Sequence, residues 1–163
     1  MTTFLERALA KLSAPRVSFS HPEPQPDLVE ELLRVSDLTL ADDRGPRVDC
    51  IRSLLLLQAG EFERSHSIIQ GMSGSDPAYI HGMIHRVEGD FSNAKYWFRR
   101  AKKHPAFIDT PIDPFGITDM VESIEGTVPP EATAESLTTE FRTLLAYLLL
   151  PPVEEREGGE GER

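Results

Sequence analysis

The stretch from His81 to Pro105, HGMIHRVEGDFSNAKYWFRRAKKHP, decides how this chain folds. It holds the only tryptophan, three of the five histidines and the densest cluster of positive charge. Asp76 is expected to cap a helix that Pro77 opens and that runs from Ala78 to about Glu88, because an N-cap carboxylate satisfies free amides and proline suits the first turn. Gly89-Asp90 then turns the chain. A second helix carries Ser92 to Lys103 and stops before His104-Pro105, with Ala94, Phe98 and Ala101 on the side facing the first. Two helices joined by a tight glycine turn make a helical hairpin.

The same arrangement precedes it. Arg44-Gly45-Pro46 reads as a turn with proline at the first helical position, and a helix runs to about Ala59, ending at Gly60. Its apolar side is Val48, Ile51, Leu54 and Leu55, joined by Leu56 and Leu57. A partner helix follows Phe62 to about Gln70, closed by Gly71 and Ser73-Gly74-Ser75. Superimposing Gly60-Glu61-Phe62 on Gly89-Asp90-Phe91 places Ser65 on Ala94, Ile69 on Phe98 and Met72 on Ala101, a repeat of 29 residues. Periodicity of this size is the mark of stacked helical hairpins, each unable to bury its apolar face alone.

Gly82, the Gly89-Asp90-Phe91 turn, Ala94, Phe98, Ala101 and Pro105 fall in an order and near-spacing that resembles the tetratricopeptide repeat. The resemblance covers about Pro46 to Pro105, full in the second copy and partial in the first. The period is shorter than the usual length of about 34 residues, the proline comes one residue early, and Ser65 stands where the motif has alanine. The repeat is thus a degenerate one. The pattern HGxxHRxEGDxxNAKYWFRRAxxHP is also similar to that of small uncharacterised bacterial and fungal helical proteins, which implies no activity.

Working outward, the chain reads as all-α, a single helical domain over 1–150 and a disordered acidic tail over 151–163. Thr2 or Thr3 caps a first amphipathic helix to about Leu12. Four prolines between Ser13 and Pro26 favour an extended arm. Asp27 with Glu30 predicts a capped helix that carries Leu28, Leu32 and Val35 on to Leu38 or Leu40. After Pro105, Phe107, Ile108, Ile112 and Phe115 are expected to pack a loop, and Thr118 or Asp119 to cap a short helix through Ile124. Glu131 to Leu150 is the longest helix, its stripe of Leu137, Phe141, Leu144, Leu145 and Leu148 covering the open end of the stack. The tail, PPVEEREGGEGER, has five glutamates and three glycines.

Composition narrows the function. A net charge of -10 argues against nucleic acid and anionic membranes as partners, since the summed field repels polyanions. The lone Cys50, in an apolar helix, reads as core filler in a reduced, cytoplasmic protein. No basic leader opens MTTFLERALAKL, and the apolar runs fall far short of the roughly 20 residues a membrane span needs. No nucleophile elbow, phosphate-binding glycine loop or paired cysteine motif is present, which disfavours an enzyme.

Chemistry concentrates in the opening stretch. His81, His85 and Glu88 share one helix face. Gly82 stands where a zincin has its glutamate, so no metal or cofactor is assigned. His81 and His85 take hairpin positions that are at least half buried, where their nitrogens need partners such as Asn93, Tyr96 or Glu88. Lys95, Arg99, Arg100, Lys102 and Lys103, with Arg86 from the preceding helix, form a positive island, and Phe91 to Ile108 contains no acid. The leading expectation is a non-catalytic module that binds an acidic peptide or partner protein on the surface bearing Arg86, Arg99 and Arg100. The alternative is a small-molecule or anion site, open to catalysis, built on His81, His85, Glu88 and Asn93. The ligand-binding set is therefore His81, His85, Arg86, Asn93, Arg99 and Arg100.

Overall fold

A helix that is apolar almost all the way round must be buried on all sides, and α4 (Pro46–Gln58) is such a helix. Val48, Ile51 and all four leucines from Leu54 to Leu57 are buried in it. Helices α2 (Pro26–Arg34), α3 (Asp37–Ala41), α5 (Phe62–Ile69), α6 (Ser75–Val87) and α9 (Glu131–Leu149) pack against it, while α1 (Phe4–Lys11) lies on α3, α7 (Phe91–Ala101) on α6, and α8 (Pro114–Ser123) on α7 and α9. A 3-10 turn, Pro105–Phe107, follows α7. The computed structural model describes residues 3–12, 24–42, 45–125, 127 and 130–151. Residues 13–23 of the proline-rich arm and 152–163 of the tail lie outside it. The described residues are all-α, with no strand among them.

The two hairpins, α4 with α5 and α6 with α7, repeat in backbone detail. Gly60 and Gly89 both take positive φ, 82° and 80°. In the first turn the Glu61 amide donates to the Leu56 carbonyl at 2.9 Å and the Gly60 amide to Leu57 at 3.1 Å. In the second, the Asp90 amide donates to His85 at 2.9 Å and the Gly89 amide to Arg86 at 3.1 Å. These are Schellman closures, in which a left-handed glycine lets the last carbonyls of a helix find donors.

The 29-residue offset carries Ser53 onto Gly82 and Ser65 onto Ala94, which explains the departure at Ser65. Each hairpin crosses on a pair of small residues. In the first, Ser65 Oγ donates to the Ser53 carbonyl at 2.7 Å while Ser53 Oγ meets Ser65 at 2.8 Å on its carbonyl and 2.9 Å on its hydroxyl. Both serines are fully buried and satisfied by each other. In the second, the pair is apolar and Phe98 fills the space over Gly82. A Cβ built on Gly82 would stand 2.5 Å from Phe98 Cε1.

Several elements begin or end elsewhere than their sequence suggests. The single helix expected from Asp27 to Leu38 or Leu40 is two, parted where Val35 turns extended (ψ 136°) and Ser36 caps α3 through the Thr39 amide at 3.2 Å. Arg52, buried in α4, explains the break. Its guanidinium donates to the carbonyls of Leu32 and Val35 and to Asp37 Oδ1, taking over the open end of α2. Proline at the first position, not Asp27, opens α2. Likewise α6 starts at Ser75, three residues early, because Gly74 takes the cap position and Asp76 is used by His104 instead. Asp113, not Thr118 or Asp119, caps α8, while Thr118 lies buried inside it. Ile108 is exposed rather than packed.

The last helix does more than close the end of the stack. It lies against α4, α8 and the 3-10 turn, and buries Phe141, Leu144, Leu145 and Leu148. Its end is held by Arg47 of α4, which stacks over Tyr147 at 4.8 Å and donates to the Leu150 carbonyl at 3.0 Å. Thus α9 covers the side formed by the first helices of both hairpins. No described helix is long and apolar enough to cross a membrane.

The Gly82 contact gives a stability prediction. Alanine is the better helix former by about 1 kcal/mol, yet Gly82→Ala is expected to lower unfolding stability by about 1–3 kcal/mol, the usual cost of overpacking. Phe98 is held in place there by its ring contacts with Tyr79 and Phe115. Denaturant titration measures the change, and a stability gain would show that Phe98 yields freely.

Candidate functional site

The expected site residues separate into three places. The first is a histidine cluster between α5, α6 and α7. His81 and His85 lie one turn apart on α6, and His66 reaches in from α5. Ring centroids are 5.0 Å apart for His66 and His81, 5.6 Å for His66 and His85, and 6.2 Å for His81 and His85. Trp97 of α7 stacks on His81 at 4.0 Å, nearly parallel. His85 donates from Nδ1 to Glu88 Oε2 at 2.9 Å, which leaves Nε2 to accept from the Asn93 amide nitrogen at 3.4 Å. His81 is only 2% exposed and its Nδ1 has no hydrogen-bond partner.

Burial, followed by the neighbouring His66 and His85, pushes the His81 pKa down from 6.5 to about 4. The Pro77 carbonyl one turn back pulls the other way without bonding to Nδ1. His81 is therefore neutral at physiological pH. Among the described residues no three histidine, cysteine, aspartate or glutamate side chains converge in a way that could hold a metal.

The second place is the interior. Arg86 was expected on the surface with Arg99 and Arg100, but it is 3% exposed and ion-paired with Glu140 of α9 through both guanidinium nitrogens. Glu140 is fully buried, and Tyr79 donates its hydroxyl to Oε1 at 2.6 Å. Burial, with the Glu140 charge next, raises the Tyr79 pKa and keeps the phenol protonated as a donor. Arg86 also lies over the Phe98 ring at 5.4 Å. A buried carboxylate needs this many donors, since its desolvation is costly otherwise. Sequence reading missed Glu140 because its neighbours, Thr138, Thr139 and Arg142, give no sign that a glutamate there faces inward.

The third place is the end of α7, whose cations are divided among three faces. Lys95 is neutralised from another helix, by Asp119 at 2.6 Å and Glu122 at 3.3 Å in α8, so the lack of acids in its own segment misleads. Arg100 leans over Tyr96 and Trp97, at 5.8 and 5.6 Å, and Tyr96 is 46% exposed. Arg99 faces a groove of about 370 Å³ between the end of α7, the 3-10 turn and the start of α8. Lys102 and Lys103 share its rim, and Phe98, Phe107, Ile112 and Phe115 line it. Asp113 also borders the groove, with Oδ1 accepting from the Phe115 amide at 3.0 Å.

His104 closes the inner wall of that groove and is fully engaged. Its Nε2 meets Asp76 Oδ1 at 2.7 Å, and its Nδ1 accepts the Ala106 amide at 3.1 Å. With both nitrogens bonded, no lone pair is left for acid-base work, although the Asp-His pairing looks catalytic in isolation. The buried Cys50 thiol is equally inert, since burial and the Asp76 charge push its pKa to about 12.

The chain matches no protein-family model, no curated protein and no solved structure.

Two predictions follow from this geometry. Glu140→Ala leaves Arg86 buried and unpaired, so stability is expected to fall by about 3–5 kcal/mol, whereas Glu140→Leu combined with Arg86→Met costs less than the two single changes summed. Additive losses in denaturant melts would refute coupling through this pair. For His81 the unfolded chain binds more protons than the folded one between pH 6.5 and 4. Its stability contribution is thus complete above pH 6.5 and is lost as the pH falls toward 4, by up to about 1.4 kcal/mol per pH unit. Unfolding free energies measured across that window should show this slope in the wild type and a shallower one in His81→Gln.

Proposed function

We propose that the protein is a non-catalytic, tetratricopeptide-like binding module that takes an acidic segment of a partner protein across the groove between α7 and α8. One observation carries this reading. In a chain of net charge -10, Arg99, Lys102 and Lys103 stand exposed on one rim, none in an ion pair among the described residues. Beneath them lies the apolar floor of Phe98, Phe107, Ile112 and Phe115. Such a rim attracts carboxylates, and the floor offers a seat for one large apolar side chain between them.

The tetratricopeptide assignment is supported by the matched Schellman turns, the small-residue crossings and the packing of Phe98 on Gly82. Stacked hairpins usually bind on the concave side of their first helices. Here α9 covers that side, which favours the α7–α8 groove. Arg100 with Tyr96 flanks the same end of α7 and extends the surface for a longer segment. A cytoplasmic location belongs to the same reading, supported by a lone buried thiol.

The small-molecule alternative at His81, His85, Glu88 and Asn93 has less support. Glu88 and Asn93 each bond to His85, and His81 is enclosed beneath Trp97.

A peptide array tests the reading. Peptides with a phenylalanine or leucine between glutamates are expected to bind, with affinity falling as salt rises. Arg99→Glu with Lys103→Glu should weaken binding at least about tenfold, near 1.4 kcal/mol, while His85→Ala leaves it unchanged. Retained binding in the charge-reversed protein, or loss in His85→Ala, would sink it.

A further inference from the structure

The chain carries an acidic segment of its own, following the end of α9. Residues 152–163 read PVEEREGGEGER, five glutamates against two arginines. They follow Leu150, whose carbonyl is held by Arg47 Nη1 at 3.0 Å. Arg47 Nε lies 3.7 Å from Asp76 Oδ2, and Asp76 Oδ1 lies 2.7 Å from His104, which forms the groove's inner wall. A short series of direct contacts therefore joins the point where the segment departs to the rim of Arg99, Lys102 and Lys103. Twelve residues extend to at most about 40 Å, a reach on the scale of the whole domain.

We propose that residues 152–163 engage the Arg99, Lys102 and Lys103 rim in cis, and that an acidic partner binds by displacing them. The proposal rests on the reading of that rim as a site for acidic segments. Charge complementarity favours this occupant: three exposed cations cluster on the rim, whereas Arg64 and Arg142 stand singly, Lys11 is matched with Glu31 at 2.7 Å and Lys95 with Asp119 at 2.6 Å. Tethering strengthens it further. A segment joined by a short linker acts at an effective concentration of order millimolar, enough to compete with a partner that must arrive by diffusion. The partner's apparent affinity is then reduced by the fraction of rim that is free.

The chain has only four lysines, Lys11, Lys95, Lys102 and Lys103, so zero-length carbodiimide coupling of the full-length protein gives a clean test. The reagent activates a carboxylate, a neighbouring lysine amine displaces the urea, and an amide remains. In the monomeric fraction, mass spectrometry is expected to find Lys11 joined to Glu31 and Lys95 to Asp119 or Glu122 as internal controls. Lys102 or Lys103 joined to Glu154, Glu155, Glu157, Glu160 or Glu162 is the expected new product, lost at high salt. Controls without tail products would overturn the proposal.

A second measurement uses the full chain with Glu154→Gln, Glu155→Gln and Glu157→Gln. It should bind acidic array peptides roughly fivefold tighter than the wild type. Equal affinities would reject the cis contact and leave the binding module standing. If no acidic peptide binds either protein, the binding module itself fails.

Discussion

The carboxylate of Glu140 is the constraint on which the rest depends. It is fully buried in α9, and among the described residues the Arg86 guanidinium and the Tyr79 hydroxyl, both on α6, satisfy it. A buried ion pair of this kind adds little net stability over an apolar replacement, yet it tolerates very few alternative placements. It therefore fixes where α9 sits on the hairpin stack. The constraint extends further through Arg86, which lies on Phe98, which in turn fills the space over Gly82. One contiguous set of contacts thus runs from the last helix through both helices of the second hairpin.

Seating α9 there settles which surface is left. The first helices of the hairpins are covered, and three exposed cations stand together at the end of α7, while Arg64 and Arg142 are exposed singly on α5 and α9. Arg86 is spent inside, Lys95 is matched by α8, and Arg100 leans on Tyr96 and Trp97. Arg99, Lys102 and Lys103 are what is left facing a groove. On a strongly negative protein this rim is a local positive field, with Asp113 as the acid that borders its groove, and its sign favours recognition of acidic groups.

Three histidines of the quoted stretch meet three different fates, set by the partners each finds. His104 has both nitrogens bonded and is a structural joint between Asp76 and the 3-10 turn. His85 is anchored by Glu88 and Asn93. His81 is buried on its indole stack with Nδ1 unpaired, a cost that the aromatic contact reduces. The residue type that suggested chemistry is here largely engaged in packing.

Sequence by itself determined the helical class, the 29-residue repeat, the turns at Gly60 and Gly89, and a core of Ala94, Phe98 and Ala101. These are local matters: helical periodicity and glycine's tolerance of positive φ are written within a few residues. Burial of His81 was legible too, from its place in the hairpin pattern. Tertiary structure alone decided the rest. It drew Arg86 inward to a glutamate 54 residues away, broke the α2–α3 helix on a guanidinium from α4, and matched Lys95 with acids from α8. Each of these depends on which charged group meets which across the fold. Charges have no periodic signature, and a lone glutamate or arginine looks the same in sequence whether it faces water or a buried partner.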